Sequence, residues 1–303
     1  MDVTVFILAA AIAYAVPIIY AGIGGQISLT AGDLNIALEG EMLAGAFVAV
    51  LVTYLLGSAW LGIAGAMLVG GLLGLFFGFM IVTLRGDVFL VGITYNFLLA
   101  ALTVLLLGII FGVRGSFSSP ELVGIPTVPI GPLADVPILG PALARQTWLA
   151  WLLIPLVFAW GYVLRSTPLG LRLRALGDNA DAVRSAGLDV NRMRLGVQVV
   201  CGMLCGMAGA QLALGALTLF SAGMSAGRGF VALAIVILVG QRPWMLVLAA
   251  LLFGVADGIG IKLQQIDMPA QFPQMLPYIV TLVALCIVSA RRWRAARRTN
   301  TST

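Results

Sequence analysis

The chain has 303 residues, of which 61% are hydrophobic and only 10% charged, with a formal net charge of +5. A soluble domain is nearer half apolar and a quarter charged, so there is too little polar side chain to coat a water-facing surface and the chain reads as an integral membrane protein. With no histidine, Ser–His–Asp and Cys–His catalysis and most zinc sites are excluded, and the one lysine, Lys262, follows no Gly-rich loop that could form a P-loop.

Apolar runs at 4–22, 42–57, 60–84, 88–111, 147–164, 195–217, 229–240, 244–262 and 275–290 predict an all-α polytopic bundle of about 9–10 transmembrane helices. These form a single domain, 1–303. The first run lacks a basic leader and a small-residue cleavage site, so it reads as a retained span. The Gly- and Asn-interrupted stretch 22–40 is expected to enter the membrane as a broken or re-entrant element. Counted as a crossing, it gives ten spans with the N-terminus inside; nine simple spans would leave the N-terminus outside. The ten-span reading is preferred. Here and one residue beyond lie Asp33, Asn35, Glu39 and Glu41, the first polar cluster, with Asn35 and Glu39 on one face if that stretch is helical.

The third span carries a ladder of small residues, Ala66, Gly70, Gly74 and Gly78, and the sixth carries Cys201, Cys205 and Gly209 beside Gly202 and Gly206. Both read as surfaces for close helix packing. Cys201, Cys205 and Cys286 need no function beyond that of small buried groups. Tyr95–Asn96 is a second polar pair, early in the fourth span. The loop 112–146 holds six of the 13 prolines, between Pro120 and Pro141. It is expected to be extended, either a plain connector or a docking surface for an extracytoplasmic partner.

Arginine fixes the orientation. Six lie in the loop 165–194 (Arg165, Arg172, Arg174, Arg184, Arg192, Arg194) and five in the tail 291–303. By the positive-inside rule both segments, and hence the C-terminus, are cytoplasmic. Arg85 and Arg242 fall in short cytoplasmic turns. Only Arg114, Arg145, Arg228 and Lys262 are left for the outer face. The basic balance is a topology signal and implies no nucleic-acid partner.

Within the loop 165–194, Asp178 to Ala186 reads as a short amphipathic helix. Asn179 or Asp178 would cap it, Ala182, Val183 and Ala186 would form its apolar side, and Gly187 would end it. A helix too polar to insert between two spans is expected to act as a lever that fits a groove on a cytoplasmic protein. The third polar candidate is Asp257 in the eighth span, with Lys262 beyond it. An ion pair to a neighbouring helix and a functional role both remain open.

The pattern Pro168-Leu169-Gly170, Arg174-Ala175, Gly177, Asn179, Ala182, Gly187 resembles the permeases of ABC importers for branched-chain amino acids, simple sugars and nucleosides. Ala180-Asp181 stands where those permeases commonly have Pro-Glu. Residues 33–47, 94–108 and 227–258 extend the resemblance, the first toward the nucleoside-type branch. It implies a permease subunit of an ATP-driven importer in the cytoplasmic (inner) membrane, surrounded by lipid. Its partners would be ABC ATPase subunits, a related second permease in a heterodimer, and an extracytoplasmic binding protein or lipoprotein. ATP would be bound by the ATPase, with no cofactor, metal or catalytic residue in this chain. On the same pattern Gly177, Asp178, Asn179, Asp181, Ala182, Arg184, Ala186 and Gly187 would couple to the ATPase, and Asn35, Glu39, Asn96, Phe230 and Asp257 would face the substrate pathway.

A stand-alone secondary transporter or channel, ion-coupled through Asp257 or Glu39, is the alternative. A membrane enzyme is not expected, because the outer loop offers only Glu121 and Asp135, 14 residues apart, with no evident acid–base pair.

Overall fold

The computed structural model of the chain describes residues 3–128, 143, 146–215 and 218–263. The apolar run 275–290, Cys286, the tail 291–303 and most of the Pro-rich stretch lie outside the described residues. Within them the protein is a helical bundle, and seven helices are long and apolar enough to cross a membrane.

Helix α1 runs Val3–Thr30, passing through Pro17. Residues 22–30 therefore continue the first span, and the stretch 22–40 is not a further crossing as the ten-span reading required. Only residues 31–37 are irregular before α2, Leu38–Leu56. The reason is local: Ser28 Oγ donates to the Asp33 carbonyl, and Asn35 Oδ1 accepts the Ala37 N–H at 2.7 Å. This side-chain turn competes with the helical ladder. Asn35 and Glu39 accordingly do not share a helix face.

Gly57 ends α2 in the left-handed region, and α3 follows, Ala59–Gly78, closed by a π-helical turn at Phe79–Thr83. Helix α4 (Val88–Phe111) starts on Asp87, whose side chain accepts the Leu90 N–H. A two-residue strand β1 (Ser116–Phe117) pairs with β2 (Phe220–Ser221), antiparallel. Helix α5 (Trp148–Ser166) leads through Thr167 into α6 (Pro168–Asp178), α7 (Ala180–Ser185) and α8 (Val190–Leu214). The short α9 (Arg228–Val239) and α10 (Pro243–Leu263) complete the described chain.

Helix α8 is the axis and the most buried of the seven spans. The two small-residue ladders meet there. A Cβ on Gly202 would strike the Gly70 carbonyl, one on Gly206 the Ala66 carbonyl, and one on Gly74 the Gln198 carbonyl. Side-chain hydrophobicity cannot drive helices together in lipid, and small residues let the backbones touch instead. One turn further along the same face of α8, Gly209 meets α2 at Met42.

The bundle has two distinct ends. Gly177 of the arginine-rich end lies against the Thr30 carbonyl, whereas Gln146, at the close of the Pro-rich loop, donates to Ala9. Helix α1 therefore begins at the Pro-rich end and finishes at the arginine-rich end. Helix α10 runs antiparallel to it, Leu246 beside Gly22 and Gly254 beside Ala11. Each described segment alternates between the ends without the extra crossing.

Candidate functional site

Two polar groups are assembled inside the bundle, and one helix projects from it. The first group is built where the chain between α8 and α9 turns into the bundle. Phe220 of β2 packs its ring on Phe47, with centroids 5.3 Å apart. From there Ser221–Gly227 descend without helical structure to the level of Glu39, eight residues nearer the start of α2, or ~12 Å. Helix α9 then begins at Gly227, which has φ 80°, and ends at Gly240, whose carbonyl accepts from Gln26 Nε2. This crossing is thus a loop followed by a 12-residue half-helix.

Glu39 meets the start of that half-helix. Its Oε1 accepts the Gly227 N–H at 2.8 Å and its Oε2 accepts the Gly229 N–H at 2.6 Å. The first N–H groups of a helix have no partner within it and carry partial positive charge, so a carboxylate is well placed there. Gly229 has to be glycine, because its Cβ would lie 2.5 Å from the Glu39 Cα. Between the two glycines Arg228 turns away, to 3.7 Å from Asp257 and 5.1 Å from the centre of the Tyr14 ring. Arg228 therefore sits within the bundle and not on the outer face where the charge count had placed it. Asp257 has the ion pair that was one of its two open readings. Phe230, one residue on, is 46% exposed, and Glu39 is partly exposed.

The second group surrounds Asn35, which is fully buried. Its Nδ2 lies 3.1 Å from Gln198 Oε1, 3.3 Å from Cys201 Sγ and 3.4 Å from a Glu41 carboxylate oxygen. Gln198 in turn donates to Ser28 Oγ at 2.9 Å. Glu41, Cys201 and Cys205 hold their ligand atoms within 4.8 Å of one another, close enough to share an ion. The Asn35 amide, however, already donates into that space. The cluster reads as hydrogen-bonded polar packing between α1, α2 and α8.

Asn96 is also directed inward. Its Nδ2 donates to the Ile36 carbonyl at 2.8 Å and its Oδ1 accepts the Gly40 N–H at 2.7 Å. It fastens α4 to the break between α1 and α2. Of the five sequence-derived pathway residues, Asn35 is thus buried in a side-chain network and Asn96 is buried on backbone groups, Asp257 is paired with Arg228, and Glu39 and Phe230 have open surface. Asp33, at the arginine-rich end of the same break, lies 3.6 Å from Arg194. Burial pushes its carboxyl above the ordinary range, and Arg194 opposes this.

The projecting helix matches its predicted bounds closely. Asn179 is the cap, its Oδ1 accepting the N–H groups of Asp181 and Ala182. Gly187, at φ 81°, ends the turn. Arg184 pairs with Asp181 at 2.9 Å. The expected apolar side is corrected, since only Val183 is buried while Ala182 and Ala186 are exposed. Six residues provide less than two turns, so a single side chain is enough to seat the helix on the bundle. Gly177, Asp178, Asn179, Asp181, Arg184 and Gly187 are all exposed with them.

Sequence reasoning passed over Arg228, Gln198, Gln26 and Tyr14. Arg228 had a signal in its place within a Gly-rich entry to a short apolar run, too short to span. The glutamines had none beyond being polar in a span.

Residues 7–285 match the family described as branched-chain amino acid transport system / permease component. The chain is 33% identical over 293 residues to the nucleoside ABC transporter permease protein NupC of Lactococcus lactis subsp. cremoris, covering 93% of this chain and 91% of that one. It is 31% identical over 290 residues to the guanosine ABC transporter permease protein NupQ of Bacillus subtilis, covering 92% and 90%. Among solved structures, an ABC transporter in an inward-facing conformation aligns with a TM-score of 0.50 at 17% identity, covering 94% of this chain and 85% of that one; this likeness concerns the fold alone.

Proposed function

The chain belongs to the permease-component family of branched-chain amino acid transport systems, and from that membership we propose that it is the permease subunit of an ABC importer that carries nucleosides, or related small polar solutes such as simple sugars, across the cytoplasmic membrane. The substrate class is supported by the nucleoside and guanosine permeases that match along nearly the whole chain. The observation that carries the mechanism is α7, a capped six-residue helix standing exposed between two spans with one side chain anchoring it.

In this reading α7, with Gly177 and Asp178 before it and Ala186 and Gly187 after it, fits a groove on an ATPase subunit. Closure of the ATPase pair pushes on α7. The push reaches the bundle through Val183 and through the contact of Gly177 with the end of α1. Because α1 also holds Gly240 through Gln26, movement at the arginine-rich end is transmitted to the half-helix α9. Glu39 and Phe230, beside the start of α9, are the pathway residues this reading favours; Asn35, Asn96 and Asp257 hold the elements that carry them. A related second permease supplies the other wall of the path, and an extracytoplasmic binding protein delivers the solute. The arginine-rich end faces the cytoplasm, in keeping with the positive-inside rule.

The test is purification of the tagged chain from its native membrane, followed by reconstitution of whatever co-purifies. The expected result is an ATPase, a second permease and a binding protein, with nucleoside uptake that needs ATP. Uptake by the chain alone, driven by a proton or sodium gradient, would overturn the proposal.

A further inference from the structure

A half-helix that starts inside a membrane protein normally presents a binding place for anions, since its free N–H groups and dipole favour negative charge. In this protein that place is already taken. The Glu39 carboxylate spans the Gly227 and Gly229 N–H groups with both oxygens, at 2.8 and 2.6 Å. The neighbouring cation is engaged as well, because Arg228 faces Asp257 and the Tyr14 ring. One carboxylate thus holds the start of the half-helix, and a second faces its guanidinium.

The surroundings of this point have open surface. Ala222, Gly223 and Ala226, in the non-helical descent to α9, are exposed, and Gly223 and Ala226 have positive φ. Irregular backbone at membrane depth is tolerated where it is packed in protein or lines an aqueous cavity, and these residues are not packed. Glu39 is partly exposed and Phe230 is exposed, both at the start of α9 where that descent ends.

We propose that Glu39 is the charge filter of the path: by occupying the start of α9 it fills the place where an anionic solute would bind on this half-helix, so that neutral polar solutes pass and their phosphorylated or carboxylated forms are excluded. The inference rests on the transport reading above for its consequence, but not for its geometry. A neutral solute can still use the outward side of the carboxylate as a hydrogen-bond acceptor for a hydroxyl or amine. A phosphate meets a filled site and like charge.

The experiment uses the purified complex and its thermal unfolding with inorganic sulfate or a nucleoside 5′-monophosphate, at matched ionic strength. Wild type is expected to show no specific shift. E39A, which vacates the helix start, is expected to gain a saturable rise in Tm with both anions, and E39D, which keeps the charge, to gain none. The exposed-site variant E121A behaves as wild type. In proteoliposomes, an excess of the monophosphate is expected to inhibit nucleoside uptake by E39Q but not by wild type. If E39A does not assemble, E39Q takes its place in the unfolding series as the variant of equal size without charge. A folded neutral variant that responds to neither anion, or a wild type that responds as strongly, overturns the proposal. Because sulfate binding involves no nucleoside, failure of the transport reading would appear separately, as absent uptake by the wild-type complex.

Discussion

Replacing Asn96 with leucine isolates what holds the break between α1 and α2. Leucine keeps the branched shape and the number of heavy atoms, so no cavity forms. It removes the donor to the Ile36 carbonyl and the acceptor for the Gly40 N–H, bonds of 2.8 and 2.7 Å. Both partners are buried backbone groups, and neither residue has open surface to water. Gly40 lies in the first turn of α2, where N–H groups need a partner from outside the helix. A buried polar group left unpaired costs about 1–3 kcal/mol, and two such groups set a range of about 2–6 kcal/mol. Hydrogen bonds between membrane helices are individually weaker, averaging about 0.6 kcal/mol, because the membrane-embedded unfolded state finds other partners. The lower half of the range, about 2–4 kcal/mol, is therefore expected. The assay is denaturation of the purified chain by SDS titration in mixed micelles, with N96D as a companion. Aspartate keeps an acceptor for Gly40 and should lose less than leucine. A loss below about 1 kcal/mol for N96L would refute the view that Asn96 fastens the break.

Three other substitutions test separate parts of the structure. N179A removes the cap that receives the Asp181 and Ala182 N–H groups, a loss of about 1 kcal/mol from α7; ATP-driven uptake should fall while the unfolding midpoint of the bundle stays within error. G202V sets a branched side chain against the Gly70 carbonyl; overpacking of about 1–3 kcal/mol should part α3 from α8, read as loss of the monodisperse peak in size exclusion. D257N leaves Arg228 largely buried opposite a neutral group, with a cost of about 3 kcal/mol; the double variant R228Q/D257N should recover part of it in the same SDS titration.

The long spans were legible because lipid imposes a simple rule: a spanning segment must satisfy its own backbone and present apolar side chains. The small-residue ladders on α3 and α8 were legible too, since few other uses exist for such spacing in a span. The cap and end of α7 could be read from Asn179 and Gly187, whose local chemistry has little need of tertiary context. The 22–40 stretch was misjudged because its first nine residues, rich in glycine, are stabilised as helix by packing that the sequence does not display: Gly22 on Leu246, Gly24 on the Cys201 backbone, Gly25 on Val236.

The amino-acid sequence by itself determined that this protein lives in a membrane, where most of its helices lie, and which short helix stands outside them. These follow from composition, period and local capping, each confined to a few neighbouring residues. Only the tertiary structure decided what the costly polar residues do. Glu39 and Gly227 are 188 positions apart, and Asn35 and Gln198 are 163 apart. Whether a carboxylate in a span faces a cation, a helix start or open space depends on which segments meet at that depth. That is set by the packing of α2, α8 and α9 together, and it leaves no trace in the spacing along the chain.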